Sequence, residues 1–293
     1  MNIIDRINLE FKSMSKGQKQ IANYILHNYE KAAFMTAAAL ANIVGISEST
    51  VVRFAYVLGY EGYPELQKDF QEVIKNKLTN VQRLELMEGL SSKEIIETAF
   101  KMDINNIKST QADIAPELMD KVVDSILGAN TVYVLGTRAS EPLARFLAYY
   151  MGYFVSNIKM INFGLSDIYA QALYAGERDI VIGISFPRYS LLTVEGLGYF
   201  KSKGCTVVTI TDSDTSPPAM YSDYNLNTKS NMNSFVDSLV APLSLINVLI
   251  ILLGLRKKNE LVSNFENLEH IWHSHTIYAT QELDDKFLEF GEK

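Results

Sequence analysis

A helical head followed by an α/β domain built on a parallel sheet is the fold class this sequence predicts, and three observations predict it. Residues 1–77 place apolar side chains three and four apart, as in Ile21, Ile25 and Tyr29, which is the period of an amphipathic helix. From residue 131 the texture changes to short β-rich runs, TVYVLG, NIKMIN, DIVIGIS and TVVTITD, separated by helical stretches. Strands alternating with helices imply βαβ units and a parallel sheet buried on both faces. Of 293 residues, 47% are hydrophobic and 21% charged. That is enough apolar material for two domains, or for one large domain with an appendage.

The stretch TAAALANIVGISESTVVRFAYVLGY at 36–60 is the most informative part of the head. Ala38, Leu40, Ala41 and Val44 are expected on one apolar face, with Gly45 as a turn and Ile46 packed beneath it. Ser47 stands where the next helix, Glu48 to about Leu58, takes its N-cap. Small alanines let two helices cross closely, as a helix-turn-helix requires. Val51, Val52 and Leu58 then face the core, which leaves Ser49, Thr50 and Arg53 on or near the outer face. Short hydroxyls and an arginine near a helix N-terminus suit base edges and phosphates in a major groove. The same pattern also fits an ordinary helical hairpin with no DNA role.

A net charge of −7 argues at first against nucleic acid. Between residues 12 and 60, however, five basic residues (Lys12, Lys16, Lys19, Lys31, Arg53) face only Glu30 and Glu48. A mildly basic head on an acidic body is compatible with DNA, though charge alone does not establish it.

Residues 78–105 read as a connecting helix pair, broken at Gly89-Leu-Ser-Ser, where Ser91 or Ser92 can cap the second helix. The runs at 131–136, 157–162, 179–185 and 206–212 are the strands, with helices at 140–151, 165–176 and 190–203. Ligands in such sheets bind beyond the C-terminal strand ends, so the loops after Gly136 and Ser185 lie on the binding edge. The apolar run Leu239–Leu255 contains Pro242, Ser244 and Asn247 and is shorter than a membrane span, so it reads as a core helix capped by Ser234 or Asp237. The single cysteine, Cys205, excludes an internal disulfide and a Cys-rich zinc site, and reads as a buried, inert thiol. The N-terminus lacks the features of a signal peptide. A cytoplasmic protein with no membrane partner is the expectation.

Residues 13–70 resemble the N-terminal domain of the RpiR family of bacterial transcriptional regulators. The resemblance rests on Ile21-Ala22-x-Tyr24-Ile25, on Leu40-Ala41, and on Gly45-Ile-Ser47-x-x-Thr50-Val-Val-Arg53-Phe54. It continues through Leu58-Gly59-Tyr60-x-Gly62-Tyr63-x-x-Leu66. It implies a dimeric head that reads palindromic double-stranded DNA through Ser47, Ser49, Thr50 and Arg53, with Lys12, Lys16 and Lys19 as weaker phosphate contacts. The family places a sugar-isomerase-type (SIS) domain after the head. The implied division is 1–77 for the helix-turn-helix, 78–106 for a helical linker, 107–280 for the SIS domain and 281–293 for a tail.

SIS domains hold sugar phosphates on two loops, Gly-x-Gly-x-Ser after the first strand and Ser-x-Ser-x-x-(Ser/Thr) after the third. Here these loops read Gly136-Thr-Arg138-Ala-Ser140 and Ser185-Phe-Pro187-Arg188-Tyr-Ser190. Gly136, Ser140, Ser185 and Ser190 keep the pattern, while Arg138 replaces a glycine and Pro187 a serine. The proline removes a hydroxyl and an amide donor, and Glu141 adds negative charge near a helix start. Arg138 and Arg188 bring two guanidiniums able to grip an anion bidentately. Either arginine could instead pair with Glu141 or Glu195. The expected ligand is therefore a small anionic metabolite, a sugar phosphate or a related carbohydrate-derived acid.

An isomerase needs a general base near the reacting carbons, and Glu195 or the group His270, His273 and His275 are the candidates for it. The histidines lack the cysteine or acidic neighbours of a metal site. The attached DNA-binding head makes a ligand-sensing regulator of carbohydrate genes the leading reading, with no catalytic residue, cofactor or metal. A homodimer, or a tetramer made by pairing homodimers, is expected. A sugar-phosphate isomerase is the alternative, and a multimeric binding module without DNA activity is a third.

Overall fold

The structure, a computed structural model, describes residues 3–75, 79–85, 87–231 and 234–278. The expected tail at 281–293 lies outside the described residues. Backbone contacts divide the chain into two units. Residues up to Met102 together with Asn231–Ser238 form the first, and Asp103–Ser230 with the residues from Leu239 onward form the second.

The first unit is helical. In order come α1 (Ile3–Glu10), α2 (Lys16–His27), α3 (Tyr29–Ala32), α4 (Ala37–Val44), α5 (Glu48–Val57) and α6 (Tyr63–Lys75). Ser15 and Gln18 cap α2 reciprocally, side chain to backbone in both directions. Thr36 caps α4, its Oγ1 accepting the Ala39 N–H at 3.2 Å. Gly45 then turns the chain with φ 75°, a left-handed backbone open to glycine without cost. Leu40, Val51, Phe54, Leu58, Leu66 and Phe70 are buried in the shared core, and Val52 is half-buried. Ala38 is exposed, contrary to the expected face. It lies two residues from Leu40, about 200° around the helix.

Two further helices come next, α7 (Asn80–Glu85) and α8 (Ser92–Asp113). Gly89 breaks the chain between them with φ 85°. Ser91 caps α8: its Oγ accepts the Glu94 N–H at 3.4 Å while Glu94 Oε2 accepts the Ser91 N–H at 2.8 Å. α8 runs unbroken past Met102, so the expected boundary at 106/107 falls inside a helix.

The second unit is a five-stranded parallel sheet. Its elements are α9 (Pro116–Gly128), β1 (Val132–Gly136), α10 (Glu141–Met151), β2 (Ile158–Met160), α11 (Ile168–Gln171), β3 (Ile180–Ile184) and α12 (Leu191–Ser202). After these come β4 (Thr206–Thr211), β5 (Tyr224–Asn227), α13 (Val240–Arg256) and α14 (Lys258–Ser274). The order across the sheet is β2-β1-β3-β4-β5, every neighbouring pair parallel. β1 and β3 are buried at every position. On one face Val132, Val134, Ile182, Ile184 and Ile210 pack against α9, α10 and α13. On the other, Tyr133, Leu135 and Val181 pack against Ile168 of α11 and Leu197 and Phe200 of α12.

Two expectations change, and one strand is added. The helix expected at 165–176 shrinks to four residues, Ile168–Gln171. Asp167 caps it, and Gln171 folds back so that its amide donates to the Asn162 and Ser166 carbonyls at 2.9 and 2.8 Å, closing a compact loop. α13 begins at Val240 with Leu239 in the cap position and no side-chain cap, so neither Ser234 nor Asp237 serves; Ser234 Oγ instead accepts the Val236 N–H at 3.1 Å. β5 is not foreseen from the sequence because Tyr-Asn-Leu-Asn is a polar edge strand with only Leu226 buried.

No single helix among the described residues is long and apolar enough to cross a membrane; α13 and α14 pass that test only as a pair bent by 98°. α13 is apolar because Ala241, Leu245, Ile246, Leu249 and Leu253 are buried in the sheet's core.

Candidate DNA-reading helix and ligand edge

α5 turns its apolar side, Val51, Phe54 and Ala55, inward and leaves Glu48, Ser49, Arg53 and Tyr56 outside. Ser49, Arg53 and Tyr56 are spaced four and three residues apart, so they share one face. Arg53 Nε donates to the Ser49 carbonyl at 3.3 Å, which lays the side chain along the helix. Its terminal nitrogens make no hydrogen bond among the described residues. Tyr56 is 58% exposed and is not singled out by the sequence reading, although its helical spacing from Ser49 and Arg53 would have revealed it.

The two other hydroxyls expected at this surface are partly spoken for. Ser47 precedes α5 but makes no side-chain bond to its backbone; its Oγ lies 2.9 Å from Ser49 Oγ and 2.8 Å from Thr50 Oγ1. Thr50 is half-buried, and its methyl lies 3.4 Å from where a Cβ on Gly17 would stand, so a small residue in α2 admits it. Lys12 and Lys16 are exposed, whereas Lys19 is half-buried with its ammonium 5.9 Å from the Phe11 ring centre. At the other end of α5, Arg6 of α1 donates to the Leu58 carbonyl at 2.9 Å and stacks over Tyr60.

In the second unit the strand order decides where a ligand fits. The chain leaves β1 for α10 on one face of the sheet and leaves β3 for α12 on the other. Adjacent parallel strands whose connections diverge open a crevice at their C-terminal ends. Residues 136–140 and 185–190 directly follow these two strand ends, which is where the topology puts such a crevice. Gly136 is obligatory here, because a Cβ would stand 2.9 Å from the Ser140 carbonyl oxygen and 3.0 Å from Ala144 Cβ. Thr137 and Thr193 hydroxyls meet at 2.9 Å and tie the first loop to the start of α12.

Arg138 and Arg188 both hold left-handed backbone, φ 55° and φ 65°. Besides them only Thr276 does so among the described non-glycine residues. At Arg138 the conformation is the one a glycine would favour, so the loop keeps a glycine's path with an arginine on it. Both arginines are exposed. Arg138 has no ion-pair or hydrogen-bond partner among the described residues. Glu141 pairs with Arg145 instead, at 2.6 Å, which removes it as a partner for Arg138 and tempers its charge. Ser140 and Ser185 are buried residues, Ser190 is half-buried, and their hydroxyls make no hydrogen bond among the described residues. The Ser185 N–H is already taken by the Ile210 carbonyl at 3.2 Å. Tyr189 is anchored, its hydroxyl donating to Asp212 Oδ1 at 2.7 Å; burial and that bond push its pKa well above the ordinary phenol value.

The candidates for a catalytic base are placed otherwise. Glu195 is exposed on α12, and His270, His273 and His275 are exposed on and just after α14. Among the described residues no three His, Cys, Asp or Glu side chains gather as metal ligands would.

Residues 1–77 match the helix-turn-helix domain of the rpiR family, and residues 125–252 match the SIS domain. An HTH-type transcriptional regulator of Caldanaerobacter subterraneus subsp. tengcongensis is 26% identical over 271 residues, which cover 88% of this chain and 93% of the relative. The sugar isomerase domain of an RpiR transcription factor from Sphaerobacter thermophilus is similar in structure, with 25% identity and a TM-score of 0.56, over 58% of this chain and 96% of that one. Vibrio vulnificus NanR, solved with ManNAc-6P, shares the fold over 95% of this chain and 100% of its own, at 21% identity and a TM-score of 0.55.

Proposed function

Since the chain belongs to the RpiR family, with that family's helix-turn-helix and a SIS domain in one polypeptide, we propose that it is a cytoplasmic regulator of carbohydrate-metabolism genes. Its head binds a palindromic operator as a homodimer, and its sheet edge senses a small anionic metabolite, a sugar phosphate or a carbohydrate-derived acid. Homodimers can pair further into tetramers.

One observation carries the ligand half of this reading: the loops that follow the adjacent strands β1 and β3 each carry an exposed arginine held in left-handed backbone. Sparsely populated conformations cost about 1–3 kcal/mol each and cluster at functional sites. A guanidinium binds a carboxylate or phosphate bidentately. Arg138 and Arg188 take the place of the hydroxyl and the one amide donor lost at Pro187, and Ser140, Ser185 and Ser190 offer hydroxyls beside Gly136. On the DNA side, Arg53 and Ser49 read base edges, Tyr56 joins them, and Ser47 and Thr50 orient the helix start. Lys12, Lys16 and Lys19 reach phosphates. The exposed position of Glu195 and the histidines supports a regulator over an isomerase, as does a regulator relative matching along most of its length.

The test begins with duplexes selected from random DNA by the full-length chain. Enrichment of a palindrome, with affinity falling steeply as salt rises, is expected. Thermal shift and calorimetry with ManNAc-6P, other phosphorylated sugars and sugar acids then probe the SIS domain. If Arg138→Ala and Arg188→Ala both leave the affinity of the bound compound intact, the arginine clamp is abandoned.

A further inference from the structure

A line of hydrogen bonds runs from the ligand edge to α8. Tyr189 stands between Arg188 and Ser190 and donates to Asp212 Oδ1 at 2.7 Å. Thr211 Oγ1 lies 3.2 Å from that same carboxylate oxygen. The Thr211 carbonyl accepts the Thr228 N–H at 2.8 Å. Thr228 Oγ1 then meets Thr110 Oγ1 of α8 at 3.3 Å, and Thr110 Oγ1 also accepts the Lys229 N–H at 2.9 Å. Lys229 closes the cluster with an ion pair to Asp113 at 3.2 Å. Thr110, Thr211 and Thr228 are all buried. Buried polar groups have few substitute partners, so a change at one link is felt at the next.

The far end of this line lies within the second unit, at Thr110 further along α8 from Met102 and at Thr228 shortly before Asn231. α8 is a single helix whose residues up to Met102 belong to the unit that carries α5. Thr228 and Lys229 come just before Asn231–Ser238, which belongs to that same unit. The threonine pair thus joins two segments of the second unit, each of which continues in sequence into the first. A valine pair would fill the same volume without any directional bond, so packing alone does not call for threonine at either position.

We infer that Thr110 and Thr228 are positioning residues that carry the state of the ligand edge to the DNA-binding unit. An anion seated between the β1 and β3 loops changes how Tyr189 holds Asp212. The change passes through Thr211 and Thr228 to the C-terminal half of α8. This inference rests on the reading of the sheet edge as a sensor and of α5 as the DNA reader.

The test uses the full-length chain and the variants Tyr189→Phe, Thr110→Val and their double. Amide hydrogen exchange is measured over residues 104–113, with no ligand and no DNA. Tyr189→Phe is expected to speed exchange there by about 5-fold or more while leaving β1 and α5 as they were, the size of a modest coupling. Tyr174→Phe, at a residue 88% exposed, serves as control. Affinity for the selected duplex is then expected to shift by about 5-fold or more in each single variant, and by no more than that in the double, the mark of a shared path. Unchanged exchange at 104–113 in Tyr189→Phe overturns the inference, and so do additive effects on DNA affinity. A uniform rise across the whole chain also overturns it, since that reports lost stability. If the chain selects no DNA sequence, the reading of α5 fails, and the exchange measurement still judges the relay.

Discussion

The recognition helix and the sheet edge both put arginine into solvent, but they do it on different backbones. Arg53 projects from regular helix close to the buried Val51 and Phe54, and any helix-forming residue could stand in its place without strain. Arg138 and Arg188 stand on loops where an L-residue is costly, at φ 55° and 65°. A duplex is a long, regular partner, and a helix already has the shape to meet it. A small anion, the ligand proposed for the edge, must be wrapped, and wrapping needs loops that leave regular geometry. The two surfaces therefore fail in different ways when altered, the head by losing contacts and the edge by losing a shape.

The strongest way to break the comparison is to empty the head's core. Phe54→Ala removes a fully buried ring one residue from Arg53 and is expected to cost about 3–5 kcal/mol. Urea titration should show the helical head melting early while the sheet's transition stays in place, with DNA binding lost. Arg53→Ala should leave that titration unchanged yet weaken binding to the selected duplex by about 1–3 kcal/mol in an anisotropy titration. Retained affinity would remove Arg53 from the contact surface.

The edge should answer with the opposite sign. Arg138→Gly relieves a left-handed residue and is expected to raise stability by about 1 kcal/mol while lowering anion affinity. A variant that loses stability instead would mean that Arg138 is structural. The smallest effect belongs to Cys205, where burial pushes the thiol up from 9.0 to about 11. The folded state thus favours the neutral thiol. Its contribution to stability is complete below pH 9.0 and is lost as pH rises toward about 11. Cys205→Ala should flatten the fall of melting temperature across that window.

Much of this was legible in the sequence where geometry comes from periodicity. Gly45 and the apolar spacing around Leu40, Val51 and Leu58 located the helix-turn-helix, and four β-rich runs located four of the five strands. The rest depends on contacts that no local pattern encodes. Ala38 shares its chemistry with Ala41 but not its burial, because facing is decided by what lies across the helix. Ser47 has the identity of a cap, yet its hydroxyl finds Ser49 and Thr50. At Arg138 the lost glycine is visible in the sequence, whereas the left-handed backbone retained there is set by the packing around the loop. Glu141 stands near a helix start by position alone, and its pairing with Arg145 depends on the rotamers the two side chains take on α10.

The thiol of Cys205 has one more use. It is the chain's one cysteine, it is buried, and its raised pKa keeps it protonated and slow to alkylate near neutrality. The surface is thus naturally free of reactive sulfur. A cysteine introduced at an exposed site on α5 and another on α12 would be the only positions a maleimide dye labels quickly. The native sequence is, in effect, a ready background for fluorescence distance measurements between α5 and α12, with no native cysteine to remove first.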